Sequence, residues 1–393
     1  MVTVEVARRI IMSHAPLMPA EFRRLEHAIG ACLAADALAA DDYPRMDVSA
    51  MDGYAVGDAL GPWREVGSIA AGAVLGKRLA LGECARIFTG ADVPEGTHAV
   101  VMQERVRIAE TERVISVEGE VPIGANIRRR GESFRAGELL LPKGERLTAA
   151  AVGLLACSGL DEVMVVVEPV VAVVRTGSEF VEAGEDGKGL IHSSNERMMV
   201  AAIRSAWMHT EEPPFTAGDD VQEIRSVLSA ALSDSDAVIT TGGVSVGEHD
   251  RMREALEAMG AVIHFHGVKQ KPGKPMLFAT VEGKPVFALP GNPRAVLVCW
   301  YAYVLPFLRT MQGALSIPHA ESGLPLAHAV ELKGDRAEFR AARIRGGKVE
   351  LLPDEGSHML TTLVHADAIA YFPADARAWA VGDSVELIHL PRT

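Results

Sequence analysis

Four loop segments concentrate the residue types that handle anions and metal ions. TGSEF (176–180), TGGVSVGEHD (241–250) and LPGNP (289–293) each follow a short apolar run, and KQKPGKP (269–275) lies between the last two. Gly242, Gly243 and Ser245 let a backbone approach a phosphate closely and offer it amide and hydroxyl donors. The spacing is neither GxGxxG nor a Walker loop, so a tight structural turn is the competing reading. Thr176 and Gly177 stand at the first of these strand ends in the same way. Lys271 and Lys274 bracket a Pro-Gly turn at Gly273, and two ammonium groups fixed there are tolerated beside an anion or in solvent. Pro290, Gly291, Asn292 and Pro293 make a rigid turn that serves a ligand or starts a helix, for which Pro293 is well suited.

Acids form a second pattern. Glu179, Asp219 and Asp250 each lie near a strand-helix junction, and carboxylates gathered beside a phosphate loop usually hold Mg²⁺. Taken singly such an acid is more often a helix cap, and Asp219 or Asp220 before VQEIRSVL fits that role. His264 and His266 resemble a ligand pair, although alternate strand positions more often carry packed or surface histidines. The runs at Arg128–Arg130 and Lys269–Lys274 are the local cation concentrations; solvated surface charge is their bland alternative.

These loops need a scaffold. From Glu168 onward apolar strands alternate with amphipathic helices, a pattern that predicts a parallel sheet covered on both faces over 168–312, with ligands beyond the carboxyl ends of its strands. Residues 41–129 show short alternating runs broken by Gly, Pro and Asp, predicting a β-rich module. The last stretch, 313–393, predicts a small β-barrel or sandwich. Residues 4–40 show helix-like spacing at Ala7, Ile10, Ile11, Leu25, Ile29 and Leu33, and TAAAVGLLACSGL begins a helix near Thr148. The expectation is one helical domain built from 1–40 and 130–167. The fold class is therefore multidomain, α+β and α/β.

At 393 residues, and with roughly 100 to 200 residues per domain, two to four domains are expected. Apolar residues make up 48% and charged residues 23%, with a net charge of −13, so a diffuse attraction to nucleic acid or anionic lipid is not expected and any anion must meet local cations. Cys32, Cys84, Cys157 and Cys299 form no CxxC pair and are read as reduced thiols. The first residues lack a signal-peptide pattern, and the longest apolar stretch, 295–308, is too short to span a bilayer and contains Pro306, so a cytoplasmic protein with no membrane partner is expected.

The segments SAMDGYAV (49–56), IFTGADVPEGTHAVVMQE, NIRRRGE, TGSE, IHSSN, the Asp219-Asp220 pair, TTGGVSVGEHD, KPGKP and LPGNP occur in that order. Together they resemble the molybdopterin molybdenumtransferase family, the bacterial MoeA-like proteins and the E domain of gephyrin. The resemblance implies an elongated four-part subunit with a parallel-sheet molybdopterin-binding α/β domain. It also implies a homodimer in which the MDGYA module of one subunit faces the α/β domain of the other, with other cofactor-assembly proteins as further partners. The implied reaction takes adenylylated molybdopterin and molybdate, inserts the metal at the dithiolene and releases AMP with Mg²⁺. By position, Asp52, Glu179, Asp219 and Asp250 are the acids that matter, with Mg²⁺ at the last three. Lys271, Lys274 and Arg128 neutralise the anions, and Thr89 and Ser245 donate hydroxyl hydrogen bonds. As the plain alternative, Asp52 is a turn residue of MDGYA. Ser133, Ser178, Arg294 and Ala295 depart from the family pattern, and Ser133 and Ala295 motivate a second reading: a catalytically weakened paralogue that binds or delivers molybdopterin.

Overall fold

The computed structural model describes the chain except residues 110–112, 182–186, 188, 245–250, 316–320, 354–355, 357–358 and 392–393. Within 41–129 a six-stranded sheet forms from Gly53–Val56, Trp63–Ile69, Glu83–Ile87, Ala99–Met102, Arg107–Ala109 and Val114–Ser116. Its strands alternate as a two-residue period requires. Tyr54 and Val56 join Trp63 and Val101 on one face, while Ala55 joins Ile69, Ile87 and Val100 on the other.

The helical lead-in expected over residues 4–40 needs correcting. Only Val4–Met12 is α-helical, with the Thr3 hydroxyl accepting from Val6 N–H, and the prolines at 16 and 19 forbid its continuation; a single 3-10 turn follows at Leu25–His27. Ala20–Arg24 is instead a strand, antiparallel to Glu162–Val166, which also pairs with Cys32–Leu33. Leu25 and Leu33 are buried but Ile29 is 42% exposed, so the apolar spacing there was not a helix face. The two ends of this segment pack differently. Val4, Ala7 and Ile11 enter the core of the α/β unit, whereas Leu25 and Leu33 pack on Ala151 and Leu155 of the helix Ala149–Cys157. That helix starts where expected, at Thr148, whose Oγ1 accepts from Ala151 N–H, a cap typically contributing about 1 kcal/mol.

The central sheet runs Phe215–Ala217, Val171–Thr176, Ala237–Thr241, Lys284–Leu289, Leu277–Val281, Val262–His266. The first four strands are parallel, but the last two are antiparallel to their neighbours, so the sheet is mixed rather than wholly parallel. The reason is local: Leu277–Val281 and Lys284–Leu289 are joined only by Glu282 and Gly283, both with positive φ (50° and 83°), a two-residue hairpin that cannot connect parallel strands. Both faces are covered. Asn195–Ser205 and the helical stretch after Pro293 lie on one, with Val221–Ser233 and Arg251–Ala258 on the other.

The stretch after Pro293 consists of Pro293–Cys299, a π turn at Trp300–Val304 and Leu305–Met311. Pro306 has no N–H to return to the preceding turn, and a π turn is one way a helix absorbs such a break. Phe307 meets Phe287 edge-on at 5.1 Å and Phe278 at 6.1 Å, fixing this stretch against the sheet. In the terminal unit a sheet forms from Glu321–Pro325, Ala337–Arg345, Lys348–Leu351, Ala368–Phe372 and Ser384–His389, and its edge is completed by Gln270–Lys271 from the α/β unit. Gln270 pairs with Ala337 and Lys271 with Glu338, in parallel. No helix among the described residues is long and apolar enough to cross a membrane.

Candidate functional site

Because Val171–Thr176, Ala237–Thr241 and Lys284–Leu289 are parallel neighbours, the turns that follow them share one edge of the sheet. Thr176 Oγ1 donates to Thr241 O at 3.3 Å, and Gly242 N donates to Leu289 O at 3.3 Å. A Cβ at Gly242 would lie 2.6 Å from Thr176 O and one at Gly243 2.7 Å from Thr176 Oγ1, at φ of 87° and 65°. Packing of turn on turn is thus enough to require both glycines. Ser245 and Asp250, the rest of that loop's candidates, lie outside the described residues.

Beside these turns is a cleft of about 760 Å³ lined by Glu179, Phe180, Ile191, Val244, the 270–275 segment, Pro290, Gly291, Asn292, Ala295, Arg336 and Gly356. It therefore gathers Lys271, Gly273, Lys274, Glu179 and the LPGNP turn, three cations against one described carboxylate. Pro293 starts the helix directly behind the turn. Two contributions were not anticipated. Arg336 comes from the terminal β unit, its only sequence signal being a basic residue in a Gly-Asp turn. Asn195 of IHSSN, 5% exposed, donates from Nδ2 to Gly291 O at 2.7 Å and so anchors the LPGNP turn.

The acids separate by role. Asp220 is the helix cap, its Oδ1 accepting from Gln222 and Glu223 N–H at 2.9 and 3.0 Å. Asp219 turns instead to Ser178, accepting its N–H at 3.2 Å and its hydroxyl. Glu179, next in sequence, folds its carboxylate back over Gly177, where a Cβ would meet Oε2 at 2.1 Å. Glu179 and Asp219 thus flank the same short turn. Among the described residues no three His, Cys, Asp or Glu side chains form a metal-holding group. His264 is packed, its ring 3.9 Å from that of His14 and its Nε2 3.0 Å from Thr280 Oγ1. Cys32, Cys84 and Cys299 are buried free thiols, and burial pushes Cys84 and Cys299 up to about 12.

A second group forms in the β-rich module. Ile127–Arg128 pairs with Val48–Ser49, bringing NIRRR to SAMDGYA, and Asp52 Oδ1 accepts from Thr89 N and Oγ1 at 2.8 and 2.7 Å. Those two donors keep the Asp52 carboxyl below the usual range. Arg128 lies over the Tyr43 ring at 5.6 Å and donates to Ser133 Oγ at 3.0 Å. Arg129 and Arg130 pair with Asp47 and Asp42. None of the described residues lining the cleft comes from 41–129, so the Asp52–Thr89 pair and Arg128 stand apart from it.

Three family models match in order: MoeA N-terminal region (domain I and II) over residues 2–159, a probable molybdopterin binding domain over 172–310, and MoeA C-terminal region (domain IV) over 324–390. A molybdopterin molybdenumtransferase of Staphylococcus aureus (strain COL) is 32% identical over 98% of this chain and 95% of its own length. The chain belongs to the molybdopterin molybdenumtransferase family. Its function therefore lies in molybdenum cofactor biosynthesis, as a transferase. The corresponding enzyme of Staphylococcus epidermidis is 30% identical over 98% of this chain and 94% of its own. A molybdopterin biosynthesis MoeA protein from Pyrococcus horikoshii OT3 shares the fold with a TM-score of 0.82, 26% identity, and coverage of 99% and 100%. A second structure of a MoeA protein from Pyrococcus gives a TM-score of 0.79 at 28% identity, with 99% of each chain covered. For this molybdenumtransferase-family chain, the cleft thus sits in the segment that matches the molybdopterin binding domain and is closed by residues of the C-terminal one.

Proposed function

We propose that the protein, working in the cytoplasm, inserts molybdate into adenylylated molybdopterin with release of AMP. The supporting observation is the cleft itself, in which Lys271, Lys274 and Arg336 face the LPGNP turn at the carboxyl ends of parallel strands. Both substrates are anions that repel each other, and fixed cations in a partly enclosed space offset that repulsion far better than water does. The chain's lysines and arginine would hold molybdate and phosphate oxygens, Asn292 and the backbone of Gly291 would orient them, and Ala295 and Phe180 would limit access of water. The division into 41–129, 168–312 and 313–393 belongs to the same proposal: 41–129 has apolar clusters of its own, and 313–393 has one around Phe372, while Phe339 and Tyr371 join the core of the α/β unit. Purified protein with adenylylated molybdopterin, molybdate and Mg²⁺ should release AMP; release no faster than without protein would sink the proposal.

The donor set suits Mg²⁺: Glu179 and Asp219 flank one exposed turn, and hard oxygen ligands completed by substrate phosphate and water are what this ion takes. When bound, it would neutralise charge developing on the phosphate oxygens. Ser178 donates to Asp219 where the family pattern has an acid. Ser178→Asp adds a third carboxylate and should tighten Mg²⁺ binding by about tenfold in a calorimetric titration. An unchanged or weaker affinity would mean that this turn holds no cation.

Asp52, Thr89 and Arg128 enter the same chemistry if a second copy supplies them, which is the homodimer proposed here. Chains carrying Asp52→Ala and Lys271→Ala, inactive alone, should recover about one quarter of normal activity after mixing and reassembly. Half of the dimers are then mixed, each with one intact site. No recovery would confine the site to a single chain. The weakened-paralogue reading rests on Ala295, which lines the cleft without a hydroxyl. Ala295→Ser raising AMP release more than tenfold would favour it.

A further inference from the structure

Behind the lysine turn lies a buried polar network that the reaction as proposed does not use. Gln270 is fully buried, and a buried amide must find partners for both its oxygen and its nitrogen. Its Oε1 accepts the Tyr303 hydroxyl, and Nε2 donates to Pro272 O at 2.9 Å and toward Cys299 Sγ at 3.7 Å. Cys299 and Tyr303 stand on the same helical stretch, the second within its π turn. Gly273 closes the gap, since a Cβ there would lie 2.6 Å from Gln270 Nε2 and 2.8 Å from Cys299 Sγ. The amide therefore does more than fill space. It clasps the backbone of Pro272, the residue between Lys271 and Gly273, and ties it to a helix that is itself locked in the aromatic core.

We propose that Gln270, held by Tyr303 and Cys299, is a positioning residue that fixes the 271–274 turn and so sets the spacing of its two ammonium groups for a tetrahedral oxyanion. The inference rests on the reading of the cleft as an anion site. Without the amide, Pro272 O has no buried donor and gains by moving toward water in the cleft, carrying Lys271 and Lys274 with it. A displacement of an ångström or so is enough to be felt in binding.

Equilibrium dialysis of the full-length protein with molybdate alone tests this. Gln270→Leu should weaken molybdate binding about tenfold and Tyr303→Phe, which removes only a hydroxyl, about threefold. A merely structural role lowers the number of competent sites and leaves the affinity of the remainder untouched, so the dissociation constant is the quantity to read. Should Gln270→Leu not fold, Tyr303→Phe decides alone. Unchanged dissociation constants, with Lys271→Ala losing binding, overturn the positioning role and spare the anion site. Absence of molybdate binding by the unaltered protein, or full binding by Lys271→Ala, overturns the anion-site reading and the positioning role with it.

Discussion

Replacing Lys271 and Lys274 together by alanine is expected to cut AMP release by between about 10² and 10⁴. Each charge-assisted contact to an anion contributes about 1.5–3 kcal/mol, and two together span that range through the transition-state relation. Folding should be little affected, because Lys271 is exposed and Lys274 half-buried at the cleft surface. Steady-state AMP release alongside a thermal melt separates the two effects. Retention of more than a tenth of the activity in well-folded double variant would remove the lysines from the chemistry.

The largest expected effect on stability comes from a residue far from the cleft. Arg23 spans Glu168 with two bonds, Nη1 to Oε1 at 2.7 Å and Nη2 to Oε2 at 2.8 Å, and the Glu168 side chain is only 8% exposed. Arg23→Leu leaves that carboxylate buried without its partner, which costs about 3–5 kcal/mol. Burial alone would raise the Glu168 carboxyl, but the Arg23 hydrogen bonds and charge outweigh it and hold it below the usual value. With a folded value below the unfolded one, the pair's contribution is complete above the unfolded carboxyl value near 4.3 and is lost as pH falls through the folded value. In Arg23→Leu only a backbone hydrogen bond and the charge of His209 oppose burial, the largest of these effects, so the sign should reverse and the variant should lose further stability as pH rises above that value. Urea midpoints from pH 4 to 7 should therefore diverge between the two proteins with rising pH. A constant gap, or one below about 1 kcal/mol, would show that the ion pair is incidental.

Strand–turn–helix order made most of the α/β unit legible, because the turn chemistry of TGSEF, TGGVSVG and LPGNP marks strand ends whatever the partners are. Leu25, Ile29 and Leu33 misled for a physical reason: the same four-residue apolar spacing arises from a helix face and from a 3-10 turn followed by a short strand, as at Leu25 and Leu33. The hairpin at Glu282–Gly283 was readable in principle, since two left-handed residues between apolar runs demand antiparallel pairing, but the alternation of strands and helices around it masked that signal. Arg336 and Gln270 could not be found from local pattern at all. Their place depends on the parallel pairing of Gln270 with Ala337, a contact between residues far apart in the chain that no periodicity announces. Asp52 and Thr89 were named as site residues, and what the fold adds is that they bond to each other.

That same pairing bears on the order in which the protein is made. The strand carrying Lys271 reaches its finished position only when Ala337 and Glu338 have left the ribosome, and Arg336 arrives with them. A chain cut before Arg336 would lack both that cation and the strand beside Lys271, and so could not present the full cation set of the cleft.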